Sequence, residues 1–122
     1  MMASTIEEIG QAFSEHRFAE VYPHLAPDVG WKLIGGSPLN GRDAVIAACE
    51  ESLAYLSQAT TEFRKFRSVV GANAVVVDSL AEYSGADGKT SVVASCDIYD
   101  FVNGEVTTIT SYTVEVGGHQ GR

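Results

Sequence analysis

With 122 residues, 45% hydrophobic and 20% charged, the chain has the size and composition of one globular domain with a single core. Eight Lys and Arg stand against sixteen Asp and Glu, a formal net charge of −8, and the one basic cluster is Arg64-Lys65-Phe66-Arg67. This balance argues against nucleic acid and anionic membrane surfaces as partners, and no apolar run reaches transmembrane length.

Ser4-Thr5-Ile6-Glu7 reads as a capping box opening a helix, with Ile6, Ile9 and Phe13 on one face and Gly10 weakening it slightly. A second short helical stretch over residues 18–25 is broken by Pro23 and closed by Ala26-Pro27-Asp28. Residues 29–34 read as a short strand that ends at the loop Gly35-Gly36-Ser37-Pro38-Leu39-Asn40-Gly41. A longer helix follows over 42–58, with Asp43 in its first turn and Val45, Ile46, Cys49, Leu53 and Leu56 at helical spacing. Four strands complete the chain, over 60–70, 74–84, 90–101 and 105–116. They are joined at Gly71-Ala72-Asn73, Gly85-Ala86-Asp87-Gly88 and Asn103-Gly104. Short connections make these four an antiparallel meander. Helices first and strands after is an α+β plan, one domain over 1–116, with a disordered tail over 117–122.

The N-terminus has no basic region followed by an apolar one, so no secretory signal is read there. Cys49 and Cys96 lack ligand spacing and read as two reduced thiols, which points to the cytoplasm. His16 and His24 read as exposed, near a helix end and a turn, and His119 lies in the tail. With no HxH or HExxH spacing and no phosphate-binding glycine loop, neither metal nor cofactor is expected.

The residue that suggests chemistry is Asp97. It interrupts the apolar strand Ser91-Val92-Val93-Ala94-Ser95-Cys96-Asp97-Ile98-Tyr99-Asp100-Phe101, and Asp is depleted in strands. Burying its charge is unfavourable without compensation, so it either holds a proton or holds a partner. Alternation puts Ser91, Val93, Ser95, Asp97, Tyr99 and Phe101 on one face, and Val92, Ala94, Cys96, Ile98 and Asp100 on the other. Asp97 is thus a site acid or a structural anchor for a neighbouring hydroxyl or indole N–H.

Two stretches resemble a known family. The first is Ala26-Pro27-Asp28-Val29-Gly30-Trp31, the glycine-rich loop and Gly41-Arg42-Asp43-Ala44-Val45-Ile46. The second is Gly88 through Phe101 with Asn103-Gly104-Glu105-Val106. Together with the element order they are similar to the cone-shaped nuclear-transport-factor-two-like fold, in the branch of SnoaL-like polyketide cyclases and ketosteroid isomerases. The resemblance implies three helices in the N-terminal half packed on a strongly curved antiparallel sheet, with the Asp97 face toward a cavity. In ketosteroid isomerase such a desolvated Asp is kept neutral and donates a hydrogen bond in an oxyanion hole.

The remaining isomerase machinery is missing. Lys32 stands where the isomerase has its Asp base, and the first helix offers Ile6, Ile9 and Phe13 rather than a Tyr donor. Authentic steroid isomerisation is therefore not expected. An inward Lys32 would pair with Asp97 or act as a base, whereas alternation also allows Trp31 and Leu33 inward and Lys32 in solvent. The catalytic candidates are Asp97 and Lys32. The cavity candidates are Phe13, Trp31, Leu33, Tyr99, Phe101, Ile109 and Ser111, with Glu82 and Tyr83 placed near the mouth. The expected function is a pocket for a small apolar molecule, with proton transfer or cyclisation on a carbonyl-bearing, polyketide- or steroid-like substrate. The alternative is a non-catalytic ligand-binding or dimeric interaction domain. The second apolar face of the 90–101 strand predicts a homodimer through the outer sheet.

Overall fold

The structure, a computed structural model, describes residues 4–119. Helix α1 spans Ile6–Ser14 and α2 spans Arg42–Leu56. The strands are β1 (Leu25–Leu33), β2 (Leu39–Asn40), β3 (Ala59–Val70), β4 (Ala74–Gly85), β5 (Thr90–Val102) and β6 (Glu105–His119). They form one six-stranded sheet in the order β2-β1-β6-β5-β4-β3. Every pairing is antiparallel except β1 with β6, which is parallel. β2 and β3 remain as edges, so the sheet does not close.

The capping box forms one residue later than Thr5-Ile6 spacing from Ser4 suggests. Thr5 is the N-cap, its Oγ1 accepting from Glu8 N at 3.1 Å, and Glu8 Oε1 accepts from Thr5 N at 2.8 Å. The expected second helix over 18–25 is two successive 3₁₀ turns, Phe18–Glu20 and Tyr22–His24, because Pro23 falls where a continuous helix would need its N–H. β1 then begins at Leu25 rather than residue 29. Pro27 and Asp28 lie where the β1–β6 register shifts between Leu25 and Gly30, so the missing proline N–H interrupts no regular ladder. β6 runs on to His119, into the stretch expected as a tail, and residues 120–122 lie outside the described residues.

Register shifts between Phe63 and Lys65, and at Val92/Val93 and Asp100/Phe101, mark bulges that bend the long strands around the helices. The meander turn Asn103-Gly104 has both residues at positive φ, +52° and +80°, the geometry that matches hairpin twist. Inside the curve lies the core: Ile9, Phe13, Phe18, Leu25, Val29, Val45, Cys49, Val75, Val77, Tyr99, Phe101, Val106 and Ile109 are buried. Gly10 allows the closest approach of α1 to the sheet, since a Cβ there would meet Val75 Cγ1 at 3.0 Å and Tyr99 Cδ2 at 3.1 Å. Arg42 ties the start of α2 to β1, with Nε and Nη2 donating to Leu25 O at 3.1 and 2.7 Å.

Candidate functional site

Between α1, α2 and the concave face of the sheet lies a cavity of about 480 Å³. Its walls are largely aromatic and apolar, the usual form of a small-molecule site. Phe13 and Phe18 come from the α1 side, Trp31 and Leu33 from β1, Tyr55 and Leu56 from α2, and Phe63, Tyr83 and Val93 from β3, β4 and β5. Polar atoms come from Ser14, His16, Ser79, Ser95, Asp97, Ser111 and Thr113, with Glu51 and Ser52 of α2 completing the lining.

Asp97 is the centre of a hydroxyl network. Ser14 Oγ, from the last turn of α1, donates to its Oδ2 at 2.8 Å and lies 2.6 Å from Tyr99 Oη. Trp31 Nε1–H donates to Ser111 Oγ at 2.9 Å. Because an indole N–H can only donate, Ser111 accepts there and its own hydrogen is left for Asp97. Burial raises Asp97 above its ordinary carboxyl value, opposed by hydrogen bonds from Ser111, Ser14 and Tyr99 and by the field of His16. Desolvation is the largest of these effects, so the net shift is upward. The outcome is a carboxylate with enhanced proton affinity, held in place by side chains from α1, β5 and β6.

Of the residues expected from sequence, Phe13, Trp31, Leu33, Asp97 and Ser111 line the cavity. Tyr99, Phe101 and Ile109 do not. They are buried in the core beneath it, at 0%, 4% and 0% exposure, and Tyr99 reaches the site only through its hydroxyl on Ser14 and Asp97. Lys32 corrects the catalytic pair: it is exposed, opposite Thr110 on the convex face, and it lies outside the cavity while its neighbours Trp31 and Leu33 line it. Strand alternation decides this, since Lys32 between two inward residues must point out. On β6, Val106 and Ile109 both turn inward although three apart, because the bulge at Asp100/Phe101 shifts the register between them. Glu82 faces the convex side, paired with Arg64, whereas Tyr83 lines the cavity.

Two contributors were missed. Ser14, on the helix that lacks a Tyr donor, supplies a hydrogen bond to the Asp97 carboxyl. His16, expected to be exposed, is half-buried in the lining, its ring 5.7 Å from Phe18, 5.8 Å from Phe63 and 6.1 Å from Tyr83. It turns inward because α1 ends in a Schellman motif: His16 N donates to Phe13 O at 3.0 Å and Arg17 N to Ala12 O at 2.8 Å. His16 occupies the left-handed position, φ +69°, where Gly is usual. Burial lowers its pKa, against the fields of Asp97 and Glu15. Tyr83 Oη lies 3.5 Å from His16 Nε2. Among the described residues no group of three or more His, Cys, Asp or Glu is placed to hold a metal ion, and no helix is long and apolar enough to cross a membrane.

Comparison with solved structures gives the same architecture. An NTF2-like protein of unknown function from Cytophaga hutchinsonii is 32% identical with a TM-score of 0.77, the match covering 87% of this chain and 93% of that one. A protein from Pseudomonas putida, provisionally called a polyketide cyclase, is 17% identical with a TM-score of 0.70, covering 90% and 92%. An LEH-like epoxide hydrolase of M. tuberculosis is 16% identical with a TM-score of 0.64, covering 84% and 74%. No curated protein matches the chain at a significant level. The profile of the SnoaL-like domain matches residues 6–109, most of the chain and nearly every element that builds the cavity, and the chain belongs to that family.

Proposed function

We propose that the cavity binds a small apolar, carbonyl-bearing molecule, polyketide- or steroid-like, and that Asp97 moves a proton on it. The observation that carries this reading is a desolvated carboxyl of raised proton affinity at the wall of an aromatic cavity. Ionised, Asp97 takes the proton from the carbon next to the carbonyl. The C–H electron pair moves into the enolate, and the proton now on Asp97 returns either to another carbon of the same system or to the oxygen formed when the enolate carbon closes a ring on a second carbonyl. Ser14 and Ser111 hold the carboxyl through both halves of this cycle. The likeness to a provisionally named polyketide cyclase supports the fold on which such chemistry would sit. Two free thiols, one buried, fit a reducing cytoplasmic setting.

Proton transfer is readable without the natural substrate. Incubated with 2-tetralone in deuterated buffer, the protein should speed exchange of the α protons, and Asp97→Asn should abolish the gain. Ring ketones should raise Tm by mass action, and sugar phosphates should not. Stabilisation with no exchange leaves a binding domain, the second reading. Stabilisation by phosphorylated metabolites alone would defeat both.

We also propose a homodimer through the convex sheet face. Tyr112, Val114 and Val116 are 47%, 61% and 57% exposed there, beside half-buried Val92, Ala94, Cys96 and Ile98. A continuous apolar patch of this kind is unusual on a monomer. Light scattering should give a dimer mass at micromolar concentration that Val114→Glu converts to a monomer mass; a monomeric wild type would end the proposal.

A further inference from the structure

The cavity contains a second polar group that the proton step at Asp97 leaves unused, the pair His16–Tyr83. Three independent features single it out. First, His16 sits at φ +69° in the C′ position of α1, a conformation that L side chains other than Asn, Asp and His adopt rarely. The Schellman hydrogen bonds hold the backbone there, and the imidazole lines the cavity. Second, the half-buried ring packs among Phe18, Phe63 and Tyr83, which fix its position at the cavity wall. Third, Nε2 is 3.5 Å from Tyr83 Oη, at the outer limit of a hydrogen bond, and both residues line the same cavity as Asp97.

We infer that Tyr83, oriented by His16, is the hydrogen-bond donor that takes up negative charge developing on the ligand's oxygen. His16 Nε2–H donates to Tyr83 Oη, which leaves the Tyr83 O–H free to donate into the cavity. No proton need change hands at this end. The electron pair released when Asp97 removes a C–H proton collects on the carbonyl oxygen, and the Tyr83 O–H stabilises it there. Asp97 and the His16–Tyr83 pair then meet the ligand at separate points of one cavity, Asp97 from β5, Tyr83 from neighbouring β4 where it pairs with Ser91, and His16 from the end of α1. The groups acting on the pair agree with this division. Burial lowers His16, with Asp97 and Glu15 raising it, so the imidazole is chiefly neutral at pH 7. Burial also raises Tyr83, followed by Asp97 and Tyr55, so its phenol keeps the proton that it is to donate. Tyr83 is thus the catalytic residue and His16 a positioning residue.

This inference rests on the reading of the cavity as a carbonyl site, and one probe separates the two. 4-Nitrophenol is flat and apolar, and its phenolate oxygen stands in for the enolate oxygen. Asp97→Asn stands in for the state in which Asp97 has already taken the proton. Binding is followed by quenching of Trp31, the one tryptophan of the chain, and ionisation of the bound phenol by its visible absorbance. In Asp97→Asn the bound phenol should ionise at lower pH than in the double variant Asp97→Asn/Tyr83→Phe, by about one pH unit. His16→Asn in the Asp97→Asn background, which keeps a side chain suited to the left-handed backbone, should show part of that loss but not all. Phenol that binds and quenches Trp31, yet ionises at the same pH with and without Tyr83, overturns the inference and leaves the cavity reading standing. No binding to any variant, with each shown to be folded by circular dichroism, removes both.

Discussion

Ser111→Ala tests the polar network at the joint that links Trp31 to Asp97. Ser111 is 5% exposed and holds two partners, accepting from Trp31 Nε1–H at 2.9 Å and donating to Asp97. Alanine removes both bonds without a change of shape large enough to matter. The lost bond to a carboxylate is worth about 1.5–3 kcal/mol, and the half-buried indole N–H left without a partner adds about 1 kcal/mol. The expected loss of stability at pH 7 is therefore roughly 2.5–4 kcal/mol, by urea denaturation followed by circular dichroism. The pH dependence has a definite sign. Asp97 is already raised above its unfolded value, so the native state holds the proton longer than the unfolded chain and stability falls as pH rises through that window. Removing a donor raises Asp97 further, so the gap between variant and wild type widens on going up in pH. It narrows below about pH 4, where both states are protonated. Trp31→Phe in the Ser111→Ala background removes the stranded N–H, and the double-mutant cycle should return a coupling of about 1 kcal/mol. A loss under about 0.5 kcal/mol at pH 7, far below the expected loss for two buried hydrogen bonds, would refute the network as drawn.

Three further outcomes are expected. Asp97→Asn should stay within about 1 kcal/mol of wild type at neutral pH, because relief of a buried charge offsets weaker hydrogen bonds and Lys32 lies on the other face of the sheet; a loss of 3–5 kcal/mol, the signature of a broken buried ion pair, would show a cation on Asp97 after all. His16→Ala should be less stable than His16→Gly by about 1 kcal/mol, since both lose the imidazole and only alanine keeps the left-handed strain; equal stabilities in thermal melts would mean that the backbone at residue 16 relaxes. Gly10→Ala should destabilise by about 1–3 kcal/mol despite its better helix propensity, as the new methyl presses on Val75 and on Tyr99 beneath the site; a more stable variant by denaturant midpoint would show that α1 slides freely on the sheet.

The strands, their turns and α2 were legible because each is written locally. Alternation along Ser91 to Phe101 gives the two faces of β5 directly, and Asn103-Gly104 takes the two positive φ angles that its hairpin needs. What failed locally failed for a stated reason. The stretch around Pro23 has apolar residues at helical spacing but is too short and too interrupted for more than single 3₁₀ turns. Pro27 looks like a terminator and is instead tolerated at the β1–β6 irregularity, which depends on a strand that comes some eighty residues later.

The candidate site divides along the same line. Asp97 announces itself, being a charge set among apolar neighbours, and alternation puts Trp31 and Leu33 on one face of their strand, though it does not say which face is inward. Its partners do not announce themselves. Ser14 meets Asp97 across 83 residues, Trp31 meets Ser111 across 80, and His16 approaches Tyr83 across 67. None of these separations leaves a period or a spacing in the sequence, because each is set by how far the bulged strands curl around α1. His16 is the sharper case. A residue just past a helix usually faces solvent, and only the Schellman turn, visible in the hydrogen bonds of Phe13 and Ala12, swings it back over the cavity. Tyr99 shows the converse: alternation put it on the face of Asp97, which the family resemblance turned inward, but the depth of the core beneath the cavity made it a support for Ser14 and Asp97 rather than a wall. Face is a property of the strand, whereas depth is a property of the assembled curve, and it is depth that separates the groups able to touch a ligand from those that hold them.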